Sequence, residues 1–325
     1  MKIAVTGANG HVGANLVRLL LKQGHRVRIL VHHNTQALQG LDVEKVMGSL
    51  NDLSALERLC RDRDAVFHTA ALISIGREKE SRVYQTNVTG TKNLLLAAEK
   101  SGVKRFIHFS SVHALQQQPA GSPVDETLLL NTDSSLVYEK TKALAEKMVL
   151  GHNSSRFQVI VLNPTAILGP YDFGPSYLGQ VIIKIYRGSL PGLVPGGYNW
   201  VDVRDVAQAA VQALEKGRPG ERYLLSGEWQ SLKTLAGEVC RLRGRKCRMP
   251  AFPFWLARAG VPFLTAFARL AKQDPLYTAT SLKILQTANR QVLHGKARRE
   301  LDFRPRPFHQ SVAGAVEWFK KHQYL

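Results

Sequence analysis

"VTGANGHVGANLVRLLLKQG", residues 5–24, runs from a short apolar strand pattern through Gly7, Gly10 and Gly13 into an amphipathic helix pattern. A chain that turns this tightly needs glycine for positive φ. It also needs the missing side chains so that backbone N–H groups at the helix start can approach a pyrophosphate. Gly13 would let helix and strand pack closely. Thr6, Gly7, Asn9, Gly10, His11, Val12 and Gly13 are therefore expected to hold a dinucleotide. A tight turn with no ligand is the alternative, which the flanking strand and helix disfavour.

Working outward, apolar runs rich in β-branched residues recur at 2–7, 26–31, 43–48, 65–71, 105–111 and 158–164. Helix-like segments lie between them near 11–23, 52–61, 81–101 and 135–151. This alternation predicts an α/β fold, a Rossmann-type doubly wound parallel sheet with helices on both faces. The dinucleotide domain is expected over 1–164, with 200–228 returning to it. Residues 165–199 and 229–325 would form a smaller, discontinuous C-terminal substrate lobe.

Of the 325 residues, 44% are hydrophobic and 21% charged, as in an ordered globular protein. Cys60, Cys240 and Cys247 are too few for a disulfide framework and lack CxxC-type spacing, so reduced thiols and no metal are expected. The N-terminus has no long apolar leader segment, and no stretch reaches the roughly 18 apolar residues of a spanning helix. A cytoplasmic protein is expected. The segment 252–271 is broken by Arg258, Pro262 and Arg269. It reads as an amphipathic helix pair closing a hydrophobic pocket, with surface membrane attachment as the alternative. The net charge is +19, and residues 233–306 carry sixteen Lys/Arg against four Asp/Glu. Such a lobe attracts phosphates or acidic membranes. Aromatic residues do not interleave regularly with the charges, so no specific nucleic acid partner is expected. Peripheral membrane contact through the basic lobe stays open.

The second strand pattern ends at "ILVHHNT" (29–35), without the acidic residue that would hold the ribose 2′-OH of NAD. With His32 and His33 there, and Arg28 earlier in the strand, NADP(H) is favoured and NAD(H) stays open. Two surface histidines are the alternative reading. "YEKTK" (138–142) sets Tyr138 one helical turn ahead of Lys142, and of nine tyrosines only Tyr138 has a lysine four residues on.

"TGANGHVG" (6–13), "HTAA" (68–71), "NVTGTKNLLLAA" (87–98), "FSS" (109–111), "YEKTK" and "WVDVRDVA" (200–207) occur in the order and spacing of the extended short-chain dehydrogenase/reductase family. The chain resembles that family over almost its whole length, in the branch of dihydroflavonol reductases and hydroxysteroid dehydrogenases. The resemblance implies Tyr138 as general acid/base, Lys142 lowering its pKa and holding the nicotinamide ribose, Ser111 donating to the substrate oxygen, and Asn87 organising proton transfer. An equally open reading makes Asn87 a cap or kink residue. The cofactor contacts it implies further along the chain are Thr69, Ala70, Ala71, Asn163 and Pro164. Ser49 replaces an aspartate common in the family, which weakens an adenine contact or hands it to Asp52 and Leu53. The acidic pair of dehydratase relatives is absent, because Val112 and His113 follow Ser111. His11 and His68 side chains are expected to be structural.

The expected activity is reduction of a carbonyl, or oxidation of a secondary alcohol, on a fairly hydrophobic small molecule. The pocket is expected to draw on 73–76, His113, Leu115, 164–169, Tyr198 and 252–277. The alternatives are an NAD-dependent sugar-nucleotide epimerase and a non-catalytic NADP(H)-binding sensor or scaffold. The resemblance also implies a homodimer paired through the helices that contain Asn87 and Tyr138.

Overall fold

Seven parallel strands form the larger sheet: β1 (Lys2–Thr6), β2 (Arg26–Val31), β3 (Glu44–Met47), β4 (Ala65–His68), β5 (Arg105–Phe109), β6 (Gln158–Pro164) and β9 (Arg222–Leu225). Their order is β3-β2-β1-β4-β5-β6-β9. The computed structural model describes residues 1–32, 35–74, 78–117, 121–261 and 278–325. The expected His33, Ile75 and Gly76, and residues 262–277, lie outside these. Strands covered on both faces can be apolar at every position, and all four residues of β4 are buried.

On one face α1 (His11–Lys22) packs against α7 (Val203–Lys216), burying Leu16, Leu20, Val206 and Ala210 with the sheet. On the other, α2 (Leu53–Cys60), α4 (Gly90–Lys100) and α5 (Val137–Gly151) bury Leu56, Leu94 and Val149. The chain reverses direction across the sheet between β1 and β4. In an open parallel sheet the crevice at such a switch point, beyond the strands' C-terminal ends, takes the ligand.

The glycine turn sits there. Gly7 has φ +70°, and a Cβ on it would lie 2.5 Å from the Ala70 nitrogen. A Cβ on Gly13 would lie 2.2 Å from the Gly7 carbonyl oxygen, so α1 can approach β1 only without one. The helix expected over 81–101 is interrupted. After α3 (Glu80–Tyr84) comes one π-helical turn, Gln85–Thr89, and such turns re-aim a helix where function needs it.

The second lobe is built on a three-stranded sheet of β7 (Ala166–Leu168), β8 (Gly197–Asp202) and β10 (Glu228–Ser231). Around it lie α6 (Tyr177–Arg187), α8 (Leu232–Leu242), a helical run α9 at 254–261, α10 (Ala279–Thr287) and α12 (Phe308–Lys321). Trp200, Leu235, Val312 and Phe319 are at its core. The stretch 200–228 divides between the lobes. Its first residues belong to β8 in the small sheet, whereas α7 and β9 return to the large one. Helix α11 (Gly295–Glu300), followed by Leu301 and Phe303, also packs into the first core through Ala297.

Candidate active site

Ser111 follows β5 and Tyr138 opens α5, and both line one cavity of about 430 Å³. One end of the cavity is the glycine turn, where α1 begins with neither a side-chain cap nor an acidic residue in its first turn. The unpaired N–H groups and positive helix end suit a phosphate. The other end is walled by apolar side chains of α6 and α10, among them Val181, Ile185, Ile284 and Leu285.

Ser111 caps a short 3₁₀ turn, its Oγ accepting the His113 N–H at 3.2 Å, and it lines the cavity together with Tyr138. Burial pushes the Tyr138 hydroxyl up from its ordinary value, and the Ser111 side chain offsets part of that rise. Lys142 donates from Nζ to the Phe109 carbonyl at 2.6 Å. The expected electrostatic lowering of the phenol by Lys142 therefore gives way here to desolvation. Burial brings Lys142 itself down to about 8, and the Glu146 carboxylate keeps it from falling further.

Glu146 was missed by sequence reasoning. It lies one more turn along α5, so Tyr138, Lys142 and Glu146 form a stripe at spacing four that "YEKTKALAE" (138–146) displays. It is wholly buried, 3.0 Å from the Arg222 guanidinium of β9, and accepts from Asn163 Nδ2 at 2.7 Å. The missed pocket walls α6 and 281–292 come from far along the chain, although "YLGQVIIKIYR" (177–187) is strongly amphipathic.

Other expected residues do structural work. Asn87, in the π-helical turn, is bonded through its amide to both backbone groups of Leu72, and Nδ2 also donates to Thr141 Oγ1. It clamps the 69–74 loop to α5. Asn163 is buried beneath the cavity, donating to Glu146 and to the Ser111 carbonyl, so Pro164 rather than Asn163 reaches the wall. Thr6 is fully buried with its hydroxyl against His68 Nδ1 (2.7 Å), which removes it from the nucleotide contacts. Thr69 and Ala71 line the cavity; Ala70 packs against the core beneath the second helical layer.

His68 also meets Thr91 Oγ1 at 2.8 Å, and His108 stands beside it with ring centroids 5.3 Å apart and neither ring nitrogen hydrogen-bonded. Burial, then the Lys142 charge, pushes His68 down to about 3 and His108 well below its ordinary value. Both are neutral when folded, whereas the unfolded chain protonates them near pH 6.5. Stability from these two is complete above that pH and is lost as pH falls below it. The expected loss is about 1.4 kcal/mol per pH unit for each histidine. Urea unfolding of His108→Phe between pH 6.5 and 4.5 should show a visibly shallower decline than wild type; an unchanged slope would contradict the assignment.

A profile of the NAD dependent epimerase/dehydratase family matches residues 3–226. The chain belongs to this family. Sterol demethylase protein B of Methylococcus capsulatus is 33% identical over 325 residues, covering 99% of each chain. A 4-hydroxy-2-methyl-3-oxo-4-farnesyl-3,4-dihydroquinoline-1-oxide ketoreductase of Stigmatella aurantiaca is 30% identical over 322 residues, covering 97% of this chain and 96% of that one. The solved structure of gox2253 superposes with a TM-score of 0.85 at 32% identity, covering 99% of each chain. The chain is thus an NAD(P)-dependent oxidoreductase of the extended short-chain dehydrogenase/reductase family, as its motifs implied.

Within this epimerase/dehydratase-family fold, several expected cofactor contacts stand differently. Arg28 is committed elsewhere, bonding Glu44 at 2.7 Å and the carbonyls of Arg58 and Arg61, so it cannot serve a 2′-phosphate. Asp52 is the N-cap of α2, accepting from Ala55 N and Ser54 Oγ through Oδ1, and Leu53 is 58% exposed on the first turn of that helix. His11 Nε2 pairs with the Pro170 carbonyl, and the Asn9 side chain accepts from Ala37 N. His32 is exposed at the end of β2. His113, Ile73, Ser74, Tyr198 and 164–167 line the cavity as expected, whereas Leu115 does not reach it and packs behind the wall in a cluster with Val124 and Val292. Among the described residues no group of His, Cys, Asp and Glu is arranged to hold a metal. No described helix is long and apolar enough to cross a membrane.

Proposed function

We propose that the chain reduces a ring ketone of a hydrophobic molecule, or oxidises the corresponding secondary alcohol, with NADP(H) as hydride partner. The observation that carries this reading is that Ser111 and the half-buried Tyr138 together line an apolar cavity that runs on to the glycine turn. Its volume, about 430 Å³, is that of a small-molecule site. The glycine turn fits a dinucleotide, because side chains at Gly7 or Gly13 would fill the cradle and the start of α1 is free of acidic residues. Bound there, the dinucleotide supplies or accepts the hydride.

The chain's own residues handle the proton. Ser111 Oγ and Tyr138 Oη form a two-donor seat for the substrate oxygen. Tyr138 gives its proton to that oxygen as negative charge develops, and the Lys142 ammonium, swung from the Phe109 carbonyl, would stabilise the phenolate left behind. The walls of α6 and α10 exclude water and hold an apolar ring. Ring substrates appear in the names of both relatives above, and the apolar walls weigh against a sugar nucleotide.

NADP(H) preference rests on the absence of any carboxylate in 29–35. NADPH should bind more tightly than NADH, with His32, exposed at the end of β2, as the side chain that meets the 2′-phosphate. His32→Asp should reverse the order, as read by fluorescence titration of both nucleotides. A panel of cyclic ketones followed by NADPH absorbance tests the activity; no turnover of any member while NADPH binds would overturn the ring-ketone reading.

A further inference from the structure

Helix α9 turns Phe254, Ala257 and Val261 onto the core of the second lobe. Its outer side carries Trp255, 72% exposed, Leu256, 41% exposed, and the exposed Arg258. Large aromatic and aliphatic side chains left in water beside a cation are the composition of a helix lying in a membrane interface. The loop just before it exposes Arg245, Lys246 and Arg248. From 239 to 261 the sequence has no Asp or Glu, and Glu238 is held by Arg241 at 2.6 Å. Six residue steps separate Arg248 from Phe254, so loop and helix lie within about 21 Å of one another. Between them, Pro250 and Phe252 hydrogen-bond the backbone of Leu193, a residue of the cavity wall.

We propose that the outer face of α9, with the basic 245–248 loop, docks on the surface of an anionic lipid bilayer. Trp255 and Leu256 enter the headgroup–acyl boundary, and the loop meets the lipid phosphates. Charge complementarity selects this occupant: among the described residues of the 245–261 patch every charged side chain is cationic, on a chain of net charge +19. Docking there sets the wall of an apolar cavity beside the phase in which a hydrophobic substrate resides. That consequence rests on the proposed function, whereas the docking itself does not.

The test is co-sedimentation of the full chain with vesicles of phosphatidylcholine, alone or mixed with phosphatidylglycerol. Trp255 emission is recorded with brominated acyl chains present. Trp200 and Trp318 are buried and Trp229 is half-buried, so a blue shift and bromine quenching that vanish in Trp255→Phe report Trp255. Binding to the anionic vesicles, weakened roughly tenfold or more by added salt, by Trp255→Ala/Leu256→Ala or by Arg245→Glu/Lys246→Glu/Arg248→Glu, supports the proposal. Unchanged thermal midpoints and NADPH affinity in these variants show that fold and nucleotide site are intact. No binding to anionic vesicles, equal binding to neutral ones, binding without quenching of Trp255, or retention of DNA in place of vesicles would each overturn it. A failed ketone panel with vesicle binding intact would leave the docking standing and remove only the proposed chemistry.

Discussion

Tyr138→Phe should lower kcat by about 10²–10⁴-fold while leaving NADPH affinity within about twofold, because general acid catalysis supplies that factor and the ring shape is kept. Tyr138 is half-buried in the cavity wall and phenylalanine keeps its ring, so the substitution removes the acid without opening a cavity. Ser111 remains as a donor to the substrate oxygen, but a serine hydroxyl cannot release a proton at neutral pH. Ser111→Ala should therefore cost less than Tyr138→Phe and raise KM as well. Stopped-flow turnover paired with nucleotide titration separates the two outcomes. Equal loss of turnover and of nucleotide affinity in Tyr138→Phe would place the phenol in cofactor binding instead.

The second large effect is expected away from the cavity, at Glu146. Its carboxylate lies wholly buried between Lys142, Arg222 and Asn163, and burial drives it above its ordinary value against the pull of Arg222. Glu146→Gln leaves the Arg222 guanidinium, 3.0 Å away, as a largely buried charge without its counter-ion. Breaking such a pair commonly costs about 3–5 kcal/mol, which urea unfolding would show. It also removes the attraction that supports the Lys142 ammonium. Lys142, already down to about 8, then loses its proton at lower pH. The alkaline limb of the activity profile should move to lower pH, with the change largest between neutrality and pH 8. A variant that unfolds more easily but keeps the wild-type limb would separate the structural role of Glu146 from any influence on Lys142.

The large sheet and the meeting of the glycine turn, Ser111, Tyr138 and Lys142 at one cavity were legible because each depends on local pattern: β-branched runs, a glycine turn between strand and helix, and residues spaced by one helical turn. Glu146 was equally visible on the same stripe, but its importance came only from Arg222, seventy-six residues away in β9. Arg28 was misread because its strand position is local while its partner, Glu44, is set by the pairing of β2 with β3. Asp52 looked like a ligand, and its side chain is spent on the start of α2. The phenol of Tyr138 follows the same lesson. Spacing places Lys142 on its face of the helix, but the depth of burial, which no spacing shows, decides which way the hydroxyl shifts.

Deuterium at C4 of the dihydronicotinamide of NADPH gives the most direct test, once a cyclic ketone that turns over is in hand. Mass spectrometry should find the label on the new carbinol carbon from one C4 face only, with none in water. Product that is unlabelled, or label released to solvent, would contradict direct hydride transfer in the Ser111–Tyr138 cavity.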